Sequence, residues 1–424
     1  MPPIRLPAYA CVRNNGREGK MMGRFKSAVS GAVLAVMLGA CAGSYAPAQN
    51  VASAPPQLAR PTLVQPPQRD QSELQVLFWN DAQRSERFRA MEQWFAGHEV
   101  PGATNVRSLI DGKPLSEELQ AELGALIAET GTAGVMVLQD GKVRYEGYGL
   151  GLGPDDRWTS FSVAKSFTST LLGAAVKDGY IASLDDPVTK YIPDLAGSAY
   201  EGVTVRQLAT MTSGVKWNED YTDPNSDVAQ MNRFVVEYGP DAIVAQMKAL
   251  PREAAPGAKW VYKTGETNLI GLLVENAVGL PLAEYAQSRI VEPAGFAGGL
   301  FWMVDPRGGN IGGCCLSITL ADYARMGLFA LEGGKGVVPE GWFNEAGAAQ
   351  VDFAPDMPGF GYGYQWWTYP AGAYGAQGIF GQGITLVPDK GLVFAYVGNW
   401  SRASGGPERA RFLQMTGKIA ASIE

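Results

Sequence analysis

The sequence predicts an α+β fold in which an antiparallel sheet is built from both ends of the domain and a helix-rich lobe fills the middle. Two β-hairpin patterns lie far apart in the chain, at 135–146 and at 383–397. Between them, apolar residues recur mainly at helical spacing, and a last helical pattern covers 407–423. Strands at both ends with helices between them are typical of an antiparallel sheet flanked by helices.

Each element has a local signal. The first hairpin turns at Asp140-Gly141 and the second at 388–391, and both turns separate apolar strand patterns. The helical patterns are 161–177 with Gly179 as its stop, 205–211, 267–278, 320–331 and 407–423.

The composition limits the function classes. The 424 residues are 46% hydrophobic and 18% charged, which is ordinary for a packed globular protein. The net charge is -7, and no cluster of Lys and Arg interleaved with aromatic residues occurs in the body of the chain, so no nucleic-acid partner is expected. No linker-like stretch follows residue 73, and we expect 74–424 to form one domain.

The N-terminal region has the pattern of an export signal. Basic residues precede the apolar run 28–40, which is too short to span a bilayer, so 1–40 is predicted to be a signal peptide. The run ends in Leu-Gly-Ala-Cys41, which resembles the lipobox of bacterial lipoproteins, whose cysteine is acylated. The alternative is a cleavage site with an incidental cysteine. We expect a lipid anchor at Cys41, a flexible Pro/Ala/Gln-rich tether over 41–73, and a location in the bacterial cell envelope facing the periplasm.

Two cysteines remain in the predicted domain, the neighbours Cys314 and Cys315. Adjacent cysteines close only a strained small ring, so two free thiols are favoured over a disulfide, although both states stay open.

Several catalytic classes lack their residues. The single histidine, His98, lies outside any recognisable nucleophile or metal pattern, and no G-x-S-x-G motif is present. Neither H-E-x-x-H nor paired C-x-x-C occurs. A Ser-His-Asp hydrolase and a zinc enzyme are therefore disfavoured, and neither a metal nor a cofactor is expected.

The pair Ser162 and Lys165 carries the chemistry that remains. Residues three apart on a helix share a face, so the lysine amine can reach the serine hydroxyl. The first turn of a helix also offers unpaired backbone N–H groups for a developing negative charge, and apolar neighbours lower the pKa of a buried lysine. A second match, Ser213 and Lys216, includes a glycine in a turn-like stretch and is interpreted as chance.

Further motifs occur in a fixed order along the chain, and with them it resembles the serine beta-lactamase-like family. That family includes class C beta-lactamases, D,D-peptidases, family VIII esterases and 6-aminohexanoate-dimer hydrolases. The resemblance implies a beta-lactamase/D,D-peptidase-like fold. The matching segments are FSVAKSFTS (161–169), LDDPVTKYIPDL (184–195), VTVRQLATMTSG (203–214), PGAKWVYKTGETNLIG (256–271), LADYARMG (320–327), GYGYQWW (361–367) and GIFGQGITLVPDKGLV (378–393).

The resemblance implies roles for individual residues. Tyr262 matches a tyrosine that shares a proton with the lysine and the serine, and Thr264 stands where many relatives carry asparagine. Ile379-Phe-Gly381 replaces a Lys-Thr-Gly or His-x-Gly element, which removes a cation but leaves the Ile379 N–H to form an oxyanion hole with that of Ser162.

Other residues are expected to contact the substrate. Tyr221 resembles a loop tyrosine that the 6-aminohexanoate-dimer hydrolase branch brings over the acyl group, and Thr264 and Gly381 are further candidates. The candidates for aromatic walls of the cleft are Trp217, Tyr362, Trp366 and Trp367, although such residues more often belong to the core.

We therefore expect a serine hydrolase that cleaves carboxylic esters or linear amides through an acyl-enzyme on Ser162, with Lys165 and Tyr262 as the proton-transfer pair. One alternative is a D,D-peptidase or beta-lactamase. A second alternative is an envelope binding protein that has lost turnover.

Overall fold

The computed structural model describes residue 58 and residues 60–423. The predicted signal peptide, Cys41 and most of the predicted tether lie outside the described residues. Lipid attachment and the envelope location therefore stay predictions.

The strands of the described residues form two sheets. They are β1 (Thr62–Val64), β2 (Gly97–Val100), β3 (Ile110–Asp111), β4 (Thr132–Gln139), β5 (Lys142–Tyr148), β6 (Arg157–Thr159), β7 (Leu300–Met303), β8 (Leu316–Thr319), β9 (Val351–Asp352), β10 (Gly361–Tyr362), β11 (Trp367–Thr368), β12 (Tyr374–Gly378), β13 (Gln382–Val387) and β14 (Leu392–Gly398).

The helices of the same region are mostly short. They are α1 (Asp81–Arg87), α2 (Glu117–Thr130), α3 (Ala164–Lys177), α4 (Val205–Ala209), α5 (Met231–Tyr238), α6 (Ala242–Ala249), α7 (Thr264–Val278), α8 (Leu282–Ala286), α9 (Glu292–Ala294), α10 (Leu320–Leu331), α11 (Trp342–Ala346) and α12 (Glu408–Ser422).

The larger sheet joins the two ends of the domain, as the sequence predicted. Its nine strands run in the order β3-β5-β4-β14-β13-β12-β11-β10-β9. Both predicted hairpins are present, and β14 lies antiparallel beside β4, with Val393 opposite Leu138. One pair departs from the prediction, because the short β3 runs parallel to β5.

The interior strand β4 is covered on both faces, which explains its continuous apolar run. Val135 and Val137 pack with buried residues of α2 and α12 on one face. Met136 and Leu138 point the other way and join the main core, which includes α3, α7 and α10. The alternation follows the two-residue period of a strand.

A second sheet of five strands, in the order β1-β2-β7-β8-β6, was not predicted. Its edge strand β1 lies inside the segment that the sequence assigned to the tether, and Thr62 pairs with Glu99. The prediction of a tether up to residue 73 is therefore wrong for this part, and the folded domain includes it. A three-residue strand beside several prolines has no local pattern, because its stability comes from a distant partner.

Helix α3 is the central helix and begins later than predicted. Phe161–Val163 forms a 3₁₀ turn, and the α-helix starts only at Ala164 because Phe161 has a φ of +42°. The helix ends before Gly179, which has a φ of +81° and is the stop that the sequence predicted. Helix α3 packs against α7, so the start of α3 faces the start of α7.

In the described part of the chain, no single helix has the length and hydropathy of a membrane span. The helical segments Thr264–Val278 and Leu282–Ala294 reach that length and hydropathy only when they are taken together, and a bend of 76° separates them.

Candidate active site

Ser162 lies in a constrained turn at the start of α3. The residue before it, Phe161, adopts a positive φ of +42°, which is rare for a bulky side chain and occurs most often at functional sites. The Val163 N–H donates to the Ser160 carbonyl at 3.1 Å and closes the turn. Ser162 itself is partly exposed, so its hydroxyl is accessible.

Lys165 lies in the first turn of α3 and is 1% exposed. Its Nζ donates to the Thr264 hydroxyl at 3.0 Å and to the Gly313 carbonyl at 2.8 Å. Burial lowers the pKa of Lys165 to about 7, while the negative charge of Glu219 acts in the opposite direction. A neutral amine with both N–H bonds directed at acceptors keeps its lone pair for a proton, as a general base requires.

Tyr262 lies beside Lys165. The Lys165 Nζ is 5.3 Å from the centre of the Tyr262 ring. On its other side the ring stacks on Trp367, with 5.5 Å between the ring centres, and it meets Tyr362 edge to face at 6.2 Å. This aromatic packing fixes the phenol next to the amine.

The expected aromatic cleft is only partly present. Trp367 packs on Tyr262, and Tyr362, which is 1% exposed, belongs to the same small cluster. Trp366 is 0% exposed and packs against Phe343 and Tyr374 in the main core, so it is a core residue and not a cleft wall.

The turn from β12 to β13 approaches the Ser162 turn. A Cβ on Gly378 would lie 2.5 Å from the Ser160 carbonyl oxygen, so only glycine fits at this contact. Ile379 follows directly and is partly buried. Among the described residues, no backbone carbonyl outside the helices and strands accepts from the N–H group of Ser162 or of Ile379.

An aromatic cluster that the sequence did not reveal joins these two turns. Phe161 precedes Ser162, and Phe380, with a φ of +60°, follows Ile379. Their ring centres lie 5.6 Å apart, and Phe88 contacts both rings at 4.9 and 5.7 Å. Two strained residues that pack on each other keep the two N–H groups in a fixed arrangement.

Gly381 has a structural role that its expected contact with substrate does not explain. Its φ is +100°, and a Cβ would lie 2.5 Å from the indole of Trp400. Trp400 belongs to the cluster on the opposite face of the sheet, with α2 and α12. The structure thus gives Gly381 a packing contact behind the turn.

Glu219 is the main residue that sequence reasoning missed. Its two carboxylate oxygens accept hydrogen bonds from the Trp217 indole, the Tyr221 hydroxyl, and both the backbone N–H and the hydroxyl of Thr264. Three residues expected to bind substrate thus meet around one acidic side chain. The acidic loop in which it lies has no motif spacing, so nothing in the local sequence singled it out.

The second serine-lysine match is not a catalytic pair. Ser213 is fully buried and donates to the Glu266 carboxylate, whereas Lys216 is exposed. Glu266 also pairs with Lys263 at 3.6 Å, and both side chains are 0% exposed. This buried polar group lies at the start of α7 and has a structural role.

Cys314 and Cys315 form a disulfide, so the preference for two free thiols is wrong. The loop that contains them is held tightly from both sides. The Thr168 hydroxyl donates to the Gly312 carbonyl at 2.7 Å, and the Gly313 N–H donates to the Asn268 side chain at 2.8 Å. The Gly313 carbonyl that accepts from Lys165 is therefore next to the disulfide.

The chain is similar in sequence to known proteins. The beta-lactamase family model matches residues 119–416. The chain is 30% identical over 296 residues to a 6-aminohexanoate-dimer hydrolase of Paenarthrobacter ureafaciens, which covers 66% of this chain and 75% of the relative.

Solved structures show the same fold. A protein assigned as a 6-aminohexanoate-dimer hydrolase from Bacillus anthracis has a TM-score of 0.72 at 21% identity. The match covers 80% of this chain and 94% of the Bacillus anthracis chain. A D-stereospecific amidohydrolase from a Streptomyces species has a TM-score of 0.57 at 22% identity, covering 71% and 98%. The chain belongs to the beta-lactamase family, a family of hydrolases, and has the serine beta-lactamase-like fold.

Proposed function

We propose that this protein cleaves carboxylic esters or linear amides through an acyl-enzyme on Ser162, with Lys165 and Tyr262 as the proton-transfer pair. The observation that carries the proposal is the environment of Lys165. A fully buried amine with a pKa of about 7 rests against the ring of Tyr262 and lies one helical turn from a partly exposed serine. A purely structural lysine has no need of this arrangement.

The proposed reaction has two halves. Lys165 or Tyr262 accepts the Ser162 proton as the hydroxyl oxygen attacks the substrate carbonyl, and the N–H groups of Ser162 and Ile379 stabilise the oxyanion. The proton then passes to the leaving alcohol or amine, and the acyl group stays on Ser162. In the second half, water attacks the acyl carbonyl and gives a proton to the same pair. The bond between the acyl carbon and the Ser162 oxygen then breaks, the pair returns the proton to that oxygen, and the acid is released.

The preference for esters and linear amides rests on two observations. The side chain at 379 is isoleucine, which cannot pair with a substrate carboxylate. The relative at 30% identity is a hydrolase of the 6-aminohexanoate dimer. The alternatives remain a D,D-peptidase or beta-lactamase, and an envelope binding protein without turnover.

One experiment separates these functions. The purified protein is incubated with p-nitrophenyl esters, linear amides and nitrocefin, and an acyl adduct on Ser162 is sought by mass spectrometry. Adducts and turnover with esters or amides support the proposal. Binding without any adduct supports the inactive alternative.

Substrate choice is expected to depend on Ile379. A penicillin carries a carboxylate whose burial without a partner is costly, whereas a short-chain ester has no such group. We expect kcat/KM for a p-nitrophenyl ester to exceed that for nitrocefin by at least about a hundredfold. Ile379→Lys is expected to narrow this ratio.

Two cations near the site were possible partners for such a carboxylate. Lys263 is fully buried and paired with Glu266, and Lys216 is exposed. Nitrocefin hydrolysis by the unmodified protein at the rate of the ester would contradict the preference and favour the beta-lactamase alternative.

The disulfide is expected to support turnover. Reduction by a dithiol converts it to two thiols and gives the loop from Gly312 to Cys315 more freedom, so the Gly313 carbonyl no longer holds Lys165 firmly. We expect kcat to fall by about tenfold or more. The measurement is kcat before and after dithiothreitol, with thiols counted in parallel. A Cys314→Ser/Cys315→Ser variant serves as control and is expected to have low kcat that the reductant does not change. Full activity with both thiols free contradicts the prediction.

A further inference from the structure

We propose that Glu219 is a positioning residue for the proton-transfer pair. Its carboxylate fixes the direction of the Thr264 hydroxyl, and this hydroxyl in turn orients the Lys165 amine. The same carboxylate binds the loop that contains Tyr221. This inference deepens the proposed function and rests on it.

The hydroxyl of Thr264 has one proton. The direction of its O–H bond decides whether the Lys165 Nζ faces that proton or the lone pairs of the oxygen. The hydroxyl donates that proton to Glu219, so its lone pairs face the Lys165 Nζ at 3.0 Å. Without the carboxylate, the Thr264 proton is free to turn toward the amine, where it would compete for the lone pair that accepts the serine proton. Glu219 therefore leaves the Lys165 lone pair for Ser162.

The four donors around Glu219 form a complete set. An ionised carboxylate has about four lone-pair positions, and here the four are filled by donors from Trp217, Tyr221 and Thr264. Two of the donors come from Thr264 at the N-terminus of α7, where a negative charge is stabilised by the helix. Four donors hold the carboxylate in one place, as a positioning role requires.

The charge of Glu219 also acts on Lys165. Burial lowers the pKa of Lys165 and Glu219 raises it, so the value of about 7 is a balance between the two. Among the described residues, the ionisable groups at this end of α7 include Tyr262, which lies against Lys165, and Tyr221, which donates to Glu219. Lys263 and Glu266 pair with each other, and the Tyr200 hydroxyl also donates to Glu266. Tyr362 lies behind Tyr262.

The same carboxylate connects the loop to the helix. The Tyr221 hydroxyl donates to Glu219 at 2.9 Å, and the Trp217 indole donates to its other oxygen. The loop that contributes Tyr221 is thus held by the side chain that sets the proton-transfer pair. Loss of Glu219 is expected to affect both the proton transfer and the loop.

The test compares Glu219→Gln with Asp220→Asn. Glutamine keeps the size of Glu219 but removes its charge and replaces one accepting oxygen by a donating NH2 group. Asp220 is an exposed neighbour whose side chain accepts from Thr222, and asparagine keeps that oxygen, so Asp220→Asn removes an equal charge on the solvent side. Each variant is labelled with [¹³Cε]lysine, and the Lys165 signal is assigned by its loss in Lys165→Ala.

The pKa of Lys165 is read from the NMR titration, and the rate of acylation by a p-nitrophenyl ester is measured over the same pH range. Removing a nearby negative charge destabilises the ammonium form, so the Lys165 pKa is expected to fall by roughly one unit in Glu219→Gln. The acidic limb of kcat/KM is expected to move to lower pH with it, and kcat on the plateau to fall at least about tenfold. Asp220→Asn is expected to match the unmodified protein in the Lys165 pKa, in the acidic limb of kcat/KM and in the plateau value of kcat.

The outcomes separate the two proposals. A Glu219→Gln variant with unchanged Lys165 pKa and pH profile overturns the role of Glu219. A shifted Lys165 pKa in a protein that never forms an acyl adduct leaves the electrostatic link intact and overturns the proposed function. If Glu219→Gln does not fold, Thr264→Val is compared with Thr264→Ser. The valine variant is expected to have a lower Lys165 pKa and a lower kcat, and the serine variant is expected to preserve both. Equal Lys165 pKa and kcat in the two variants would overturn the inference.

Discussion

Ser162→Ala is expected to abolish the acyl adduct and to reduce ester turnover by about a million-fold, because the variant lacks the nucleophile. The fold is expected to remain intact, since Ser162 is partly exposed and the turn around it is closed by backbone bonds. The measurements are intact-protein mass spectrometry after ester treatment, steady-state kinetics and thermal unfolding. Turnover close to that of the unmodified protein would contradict the assignment of the nucleophile.

The matched control is the serine of the second serine-lysine pair. Ser213→Ala removes a donor from the buried Glu266 carboxylate and is expected to cost about 1–3 kcal/mol of unfolding free energy. Its adduct is expected to form as before. Ser162→Ala is thus expected to abolish acylation and keep the stability, whereas Ser213→Ala is expected to lower the stability and keep acylation.

Lys165→Ala and Tyr262→Phe are each expected to lower kcat by about a thousandfold or more, because each removes one partner of the proton-transfer pair. The double variant is expected to be scarcely slower than the worse single variant, since groups that act as a unit are not additive. Single-turnover acylation rates of all three variants measure this. Additive losses would show that the amine and the phenol act independently.

The pH dependence follows from the state of Lys165. The amine accepts a proton only when it is neutral, and burial lowers its pKa to about 7. In the unmodified protein, kcat/KM is therefore expected to fall as the pH drops below about 7. A flat profile through this region would argue against Lys165 as the base.

Local periodicity was enough to predict much of the fold. The hairpins around 140 and 389 and the helix 320–331 are present at or near their predicted bounds. The prediction failed for elements whose pairing partners are distant in the sequence. Strand β1 has only three residues and exists because Thr62–Val64 pairs with Gly97–Val100.

The sequence by itself was enough to single out Ser162 and Lys165 as a candidate pair, because residues three apart lie on one face of both an α-helical and a 3₁₀ turn. It also determined that isoleucine stands at 379 and that no histidine base accompanies the serine. Only the tertiary structure decided that Glu219, Thr264 and the Gly313 carbonyl converge on Lys165, that Phe88 packs against the turns before Ser162 and after Ile379, and that Cys314 and Cys315 are joined. Covalent spacing fixes near neighbours, whereas the pKa of a buried amine depends on distances and burial that arise only when segments far apart in the chain pack together.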